Sequence, residues 1–274
     1  MSDHHEQPPE SQPRPGPPEG REPAPRRAGP GGRKILVIRP NSGLSGDMMA
    51  AGLLALAGAG AEELDQMLRA LKLDQLPGRV ALESRQVNQV AGVGLRVDLP
   101  EEHEHRNLRD IENFFSRTDL SPGALDIARK SFRLLAEAEG AVHGLSPEEV
   151  HFHEVGALDS LLDIGLAALL LDRLAPDRFI CGPLPVCDGV IRCRHGLIPS
   201  PAPAVLRLLV GVPVVGLASR GETVTPTGLA LLKGAGAEFG PWPPLTLERQ
   251  ALAYGSRLLE GVPNGAIFAW GLEP

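Results

Sequence analysis

Apolar positions along this chain follow two rhythms, and the switches between them mark the elements. "KILVIR", residues 34 to 39, is a short unbroken apolar run rich in branched side chains, the pattern of a buried strand. "PNSGLSGD" then breaks the run with small and polar residues, and an Ala/Leu-rich helix is predicted over residues 47 to 57, with a shorter one over 62 to 71. Two alternating runs follow, "RVALESRQV" and "QVAGVGLRVDL". Alternation with period two predicts strands with one buried face, and the pair reads as a hairpin turning at Asn88 and Gln89.

Helical spacing returns over residues 108 to 116 and 122 to 142, the second with Ser121 as cap and Pro122 as first helical residue. The longest apolar run, residues 161 to 171, is interrupted by Asp163 and bounded by Asp172. It is too short to span a bilayer and predicts a buried helix. Short strands near Phe179 and Val190 come next, then a proline-started helix over 203 to 209, a helix in "TPTGLALLKGAGAEFG", and short strands from Leu245 onward. Alternating strands and helices that include a hairpin imply an α/β domain, a mixed sheet with helices packed on it.

Residues 1 to 32 have neither rhythm. They are dominated by proline, glycine and charge, and such a segment buries too little apolar surface to offset its ordering entropy. A disordered tail is expected there, with residues 33 to 274 as the folded region. His4 and His5 fall in this tail and read as a solvated dipeptide.

Composition narrows the partners. The 274 residues carry a formal net charge of -7 and only 4% aromatics. The acidic balance argues against a phosphate-backbone binder, and the scarcity of aromatics argues against stacking on single-stranded bases. Small molecules, metal ions or proteins are the expected partners, with neither nucleic acid nor membrane among them. The three cysteines, Cys181, Cys187 and Cys193, leave at least one thiol unpaired within the chain. With no signal-like start, this points to a reducing cytoplasm.

Four stretches can carry chemistry. In "NSGLSGD" a strand, a Gly/Ser loop and a helix start present free amides to an anion, with Gly43 and Gly46 allowing close approach and Ser42 and Ser45 adding hydroxyls. Asp47 at the same helix start would repel phosphate unless a cation lies between them, so the loop is either a metal-bridged phosphate site or an ordinary capped helix. "GETVTPTG" offers a second such start, with Thr225 and Thr227. "HFHEVGALDSLLDI" places His151 and His153 on one side of an extended segment, Glu154 at a helix entrance, and Asp159 and Asp163 on one helical face. Acids on an otherwise apolar helix need partners: arginine, backbone amides or metal ions. The spacing is not that of helical zinc hydrolases. "EEHEHR" adds His103 and His105, and "RCRHG" adds His195 beside Cys193, donors suited to nickel, copper or zinc.

Taken in order, "NSGLSGDMMAAGLLALAG", "HRNLRDI", "AEAEGAVHGLSPEEVHFHEVGALDSLLDI", "CGPLPVCDGVIRCRHGLIPSPAPAVLRLLVGVPV" and "GETVTPTGLALLK" strongly resemble the LarC family of nickel-insertion proteins. The resemblance runs from about Lys34 to the C-terminus. It implies CTP-dependent insertion of nickel, the substrate ion, into pyridinium bisthiocarboxylic acid mononucleotide, maturing the nickel-pincer cofactor of lactate racemase. CTP is the co-substrate, cleaved to CMP and pyrophosphate with Mn2+ or Mg2+. Asp47, Glu154, Asp159 and Asp163 are then the candidates for the reaction centre. Ser42, Gly43, Ser45, Gly46, Thr225 and Thr227 are candidates for nucleotide binding, and His103, His105, His151, His153 and His195 for nickel.

The sequence departs from the family at three points. Arg39 stands where an aspartate is usual, which would remove a metal-side carboxylate. The histidine-rich loop is reduced to His103 and His105. Full-length relatives continue into a C-terminal domain associated with nickel and CTP, so a separately encoded second half and an oligomer are expected partners. Two other readings compete: a non-catalytic module that binds nickel or the precursor nucleotide and delivers it, and a divalent-metal phosphohydrolase.

Overall fold

A computed structural model describes residues 32–74, 78–99, 106–152, 157–193 and 195–274. The expected tail, save Gly32, lies outside the described residues, as do His103, His105, His153 and Glu154.

The apolar run at the start forms β1 (Arg33–Pro40), followed by α1 (Gly46–Ala57) and α2 (Ala61–Ala70). The expected hairpin is β2 (Arg79–Val87) and β3 (Val90–Asp98). Its turn residues Asn88 and Gln89 have φ of 50° and 64°, the left-handed conformation a two-residue turn needs to match the strand twist. Next come β4 (Arg106–Asn107), α3 (Leu108–Phe115) and α4 (Pro122–His143). The amide of Ala124 donates to Ser121 Oγ at 3.1 Å, so Ser121 caps α4 as its sequence predicts. β5 (His151–Phe152) and the buried helix α5 (Leu158–Leu174) follow.

The remainder contains β6 (Arg178–Cys181), β7 (Leu184–Val186), β8 (Gly189–Cys193), β9 (Gly196–Ser200) and α6 (Pro203–Leu208). It ends with β10 (Val214–Gly216), α7 (Pro226–Gly234), β11 (Glu238–Phe239), β12 (Thr246–Ala253) and β13 (Ala266–Glu273).

Seven strands form one sheet in the order β11-β6-β1-β13-β12-β3-β2. β1 runs parallel to β6 and β6 to β11, whereas β13 is antiparallel to both β1 and β12. The sheet is therefore mixed, as the alternation of elements implies. Two expectations need correction. The strands after Leu245 are not short: β12 and β13 have eight residues each, and β13 lies in the sheet interior. The helix in "TPTGLALLKGAGAEFG" stops at Gly234. Gly236 takes the left-handed conformation, φ 72°, a common helix ending, and the chain turns into β11 beside β6.

Helix α1 lies on β3, β12 and β13 and against α5, while α4 packs on α5, α6 and α7. Helix and sheet approach closely because Gly52 has no side chain: a Cβ there would fall 2.3 Å from the Phe268 ring. Lying between α1 and α4 explains why α5 is apolar almost all round. Leu161, Leu166 and Leu170 are wholly buried, each contributing roughly 2 kcal/mol. That burial lets α5 tolerate an acidic residue in its interior.

Candidate functional site

Two helix starts far apart in sequence are joined in space. Leu44 and Val224 form an isolated parallel bridge, in which Leu44 N donates to Thr223 O at 2.9 Å and Thr225 N to Leu44 O at 3.1 Å. Glycines make the approach possible. A Cβ on Gly43, whose φ is +148°, would fall 1.8 Å from Thr223 O, and one on Gly228 would fall 2.7 Å from Leu44 O. Thus α1 and α7 begin side by side, with their amide ends facing the same region.

The two starts are capped differently. Thr225 Oγ1 accepts from Gly228 N at 3.2 Å and lies 2.9 Å from Thr227 Oγ1. Ser45 occupies the cap position of α1 without a side-chain cap bond, and its hydroxyl instead donates to the Asp47 carboxylate.

Helix α5 brings Asp163 against the first of these starts. A Cβ on Gly46 would lie 2.6 Å from Asp163 Oδ2, so the absent side chain of Gly46 is the space this carboxyl occupies. Oδ1 of Asp163 is buried with no hydrogen-bond partner. Burial, and then the charges of Asp47 and Asp159, push its pKa well above the usual carboxylate range. Asp159, one turn earlier and exposed, accepts from Ser160 N at 2.8 Å.

These groups open into a cleft of about 980 Å³. Ser42, Gly43, Ser45, Gly46, Asp47, Asp159, Asp163, Thr225 and Thr227 all line it, although sequence analysis draws them from three separate motifs. The opposite wall escapes sequence reasoning. It carries Arg85, Arg96 and Arg257 with Asp98, Glu222 and Asn264. Arg85 is fixed by backbone carbonyls, with Nη1 donating to Gly255 O at 2.8 Å. Arg96 Nε pairs with Asp98 at 2.7 Å, and Arg257 Nη1 with Glu222 at 3.3 Å. The only sequence signal of Arg85 and Arg96 is alternation along β2 and β3, which does not distinguish a cleft wall from a solvated face, and Arg257 lies in the loop after β12 with no periodic signal at all.

The histidines do not gather here. His151 is exposed on β5, paired with β4, and His195 is exposed in the turn between β8 and β9; neither lines the cleft. His103, His105, His153 and Glu154 lie outside the described residues. Among the described residues no three His, Cys, Asp or Glu side chains are already gathered as a metal cage.

Arg39 is also absent from the cleft lining. Its Nη1 donates to Gly240 O at 2.7 Å, and its guanidinium lies 5.1 Å from the centroid of the Trp242 ring. Burial lowers its pKa, and Nε and Nη2 are enclosed without partners. Cys181, nearby, has its thiol pushed up to about 12 by burial.

The family described as "Nickel insertion protein" matches residues 36–269. The chain belongs to the nickel insertion protein family. It is 43% identical over 233 residues to a putative nickel insertion protein of Syntrophotalea carbinolica, a match covering 84% of this chain and 57% of that relative. It is 34% identical over 224 residues to the pyridinium-3,5-bisthiocarboxylic acid mononucleotide nickel insertion protein of Staphylococcus epidermidis, covering 82% of this chain and 56% of that one. This family member thus spans a little over half the length of these relatives. No solved structure matches it. Among its described residues, no helix is long and apolar enough to cross a membrane.

Proposed function

We propose that the chain inserts nickel into pyridinium bisthiocarboxylic acid mononucleotide, with CTP as co-substrate, and that the cleft between α1, α5 and α7 is where the reactants meet. The observation that supports this most is the convergence of two helix starts with Asp47, Asp159 and Asp163 in one cavity of a nickel insertion family member. Exposed amides at helix starts suit phosphate, and carboxylate oxygens suit a hard divalent ion. Either alone would be an ordinary cap or an acidic patch; their combination favours a phosphate held beside a cation.

The donor set fits the expected Mn2+ or Mg2+. Asp163 has an enclosed oxygen without a partner, and Asp47 and Asp159 both act on its charge. These three would hold the ion, which would supply neutralisation of nucleotide phosphate charge. Ser42, Ser45, Thr225 and Thr227 would donate to phosphate oxygens, and Gly43 and Gly46 keep the loop close to them. Arg85 on the facing wall adds a positive charge of fixed direction. When nickel bonds to the pyridinium carbon, the ring proton must leave. Asp159, exposed at the mouth, or Glu154 would accept it as general base. His103, His105, His151, His153 and His195 remain the proposed nickel-handling donors, outside the cleft or outside the described residues.

The reaction is proposed for residues 33 to 274 acting with the further region that the longer relatives carry, on a soluble cytoplasmic oligomer that serves a lactate racemase. The test is to incubate the chain and that region with precursor, nickel, CTP and Mn2+, following metallated product by mass and pyrophosphate release. Product formation supports insertion. Tight precursor or nickel binding without CTP turnover assigns delivery instead, and phosphate release independent of nickel assigns a phosphohydrolase.

A further inference from the structure

One wall of the cleft is acidic and the other carries three arginines, which differ in what neutralises them. Arg96 is 2.7 Å from the Asp98 carboxylate and Arg257 is 3.3 Å from that of Glu222. Among the described residues, Arg85 is paired with carbonyl oxygens and with no carboxylate. Its Nη1 donates to Gly255 O at 2.8 Å and to Tyr254 O at 3.4 Å, and its Nη2 to Leu95 O at 3.4 Å. Carbonyls orient a guanidinium, but they bring no negative charge to cancel its own.

The hairpin is shaped to hold that charge on the cleft wall. Arg85 lies opposite Gly92 in register, and its side chain runs across β3 over Gly94. A Cβ on Gly94 would fall 2.2 Å from Arg85 Nε and 2.6 Å from its Cζ, so the missing side chain is the seat of the guanidinium. The carbonyl bonds leave Nε–H and one N–H of Nη2 unused, and Nε is not enclosed. Nε and Nη2 share the edge with which arginine grips a planar two-oxygen group side-on. A clamp on the segment after β12 explains the carbonyl bonds, but not an open edge on a cleft wall.

We propose that Arg85 is the specificity residue of the cleft, gripping a carboxylate or thiocarboxylate on the pyridinium ring of a mononucleotide whose phosphate lies at the starts of α1 and α7. This rests on the reading of the cleft as the mononucleotide site, and adds the group that recognises the ring. A neutral carboxamide in the same place offers Arg85 one oxygen and no charge. Charge-assisted hydrogen bonds are about twice as strong as neutral ones, enough for a preference of roughly tenfold.

The test is calorimetry of the full chain, in Mn2+, with two probes of nearly equal shape: nicotinic acid mononucleotide and nicotinamide mononucleotide. The wild type should bind the acid roughly tenfold more tightly than the amide. Arg85→Gln should bring that ratio close to one. Arg85→Lys should keep part of it, because a charge remains without the fork. Gly94→Ala retains the charge but occupies the seat of the guanidinium, so it should also lower the ratio, and it carries the decision if Arg85→Gln does not fold. A purely structural clamp would change both affinities alike and leave the ratio as it was. Equal affinities in the wild type, or a ratio untouched by Arg85→Gln and Gly94→Ala, overturn the assignment; with precursor metallation intact, the insertion reading still stands. An Arg85-dependent ratio without metallation removes that reading and keeps the assignment. Binding of neither probe overturns both the assignment and the placing of the mononucleotide in this cleft.

Discussion

Replacing Gly46 with alanine puts one methyl group where the cleft is tightest. The new Cβ would lie 2.6 Å from Asp163 Oδ2, 2.9 Å from its Cβ and 3.1 Å from its Cγ. Two of these distances are inside any ordinary carbon contact, and a helix start and a buried helix must part to relieve them. Overpacking of this kind costs about 1–3 kcal/mol. Alanine recovers at most about 1 kcal/mol of helix propensity over glycine, and less at a first helical residue such as this one. The balance is a net loss of about 1–2 kcal/mol, or a fall in Tm of about 2–8 °C for a fold of this size. The assay is urea denaturation of four proteins: wild type, Gly46→Ala, Asp163→Ala and the double variant. Asp163→Ala removes the Oδ2 and Cγ contacts but keeps the Cβ at 2.9 Å, so Gly46→Ala should cost less in that background without becoming neutral, giving a coupling of about 1 kcal/mol. A neutral or stabilising Gly46→Ala, or the same cost in both backgrounds, refutes the placement of α5 against the α1 start.

The Asp163 carboxyl also makes stability depend on pH and on cations. Its folded pKa is raised, so its contribution is intact below the unfolded carboxyl pKa of about 3.9 and is lost as pH rises through the folded value. Asp163→Asn should therefore match the wild type near pH 3–4 and exceed it at neutral pH by about 1–3 kcal/mol, because the amide carries no charge for burial and the neighbouring acids to penalise; denaturation midpoints across pH check this, and equal profiles refute it. Millimolar Mn2+ should reverse that order by stabilising the wild type more than Asp163→Asn, which thermal melts with and without EDTA would show. Thr225→Ala should cost about 1 kcal/mol by removing the α7 cap, and Thr225→Ser should recover more than half of it; denaturation midpoints that place serine with alanine contradict the cap.

Local chemistry made much of this fold legible. Ser121 and Pro122 announce α4, Asn88 and Gln89 turn a hairpin, and the apolar run interrupted by Asp163 is a buried helix, each decided within a few residues. Pairings between distant segments carry no such signal. Nothing in "AIFAWGLE" says that β13 lies between β1 and β12, and only the folded chain shows that Leu44 bridges Val224. The candidate site divides in the same way. Loops and acids stand out because glycine, serine and aspartate are unusual in apolar surroundings. Arg85, Arg96 and Arg257 resemble any exposed arginine until the hairpin and the segment after β12 close over the cleft. Gly43 and Gly46 show a subtler limit. In the sequence they read as room for a ligand, whereas their missing side chains also make room for Thr223 and Asp163.

In the proposed reaction the mononucleotide and a divalent cation meet in the cleft between α1, α5 and α7. The most direct measurement is a crystal structure of the chain with precursor mononucleotide and Mn2+. Density is expected for the phosphate at the starts of α1 and α7, and for the ion within bonding distance of Asp163 and at least one of Asp47 and Asp159. A mononucleotide bound elsewhere on the chain, with this cleft holding neither phosphate nor ion, would contradict it.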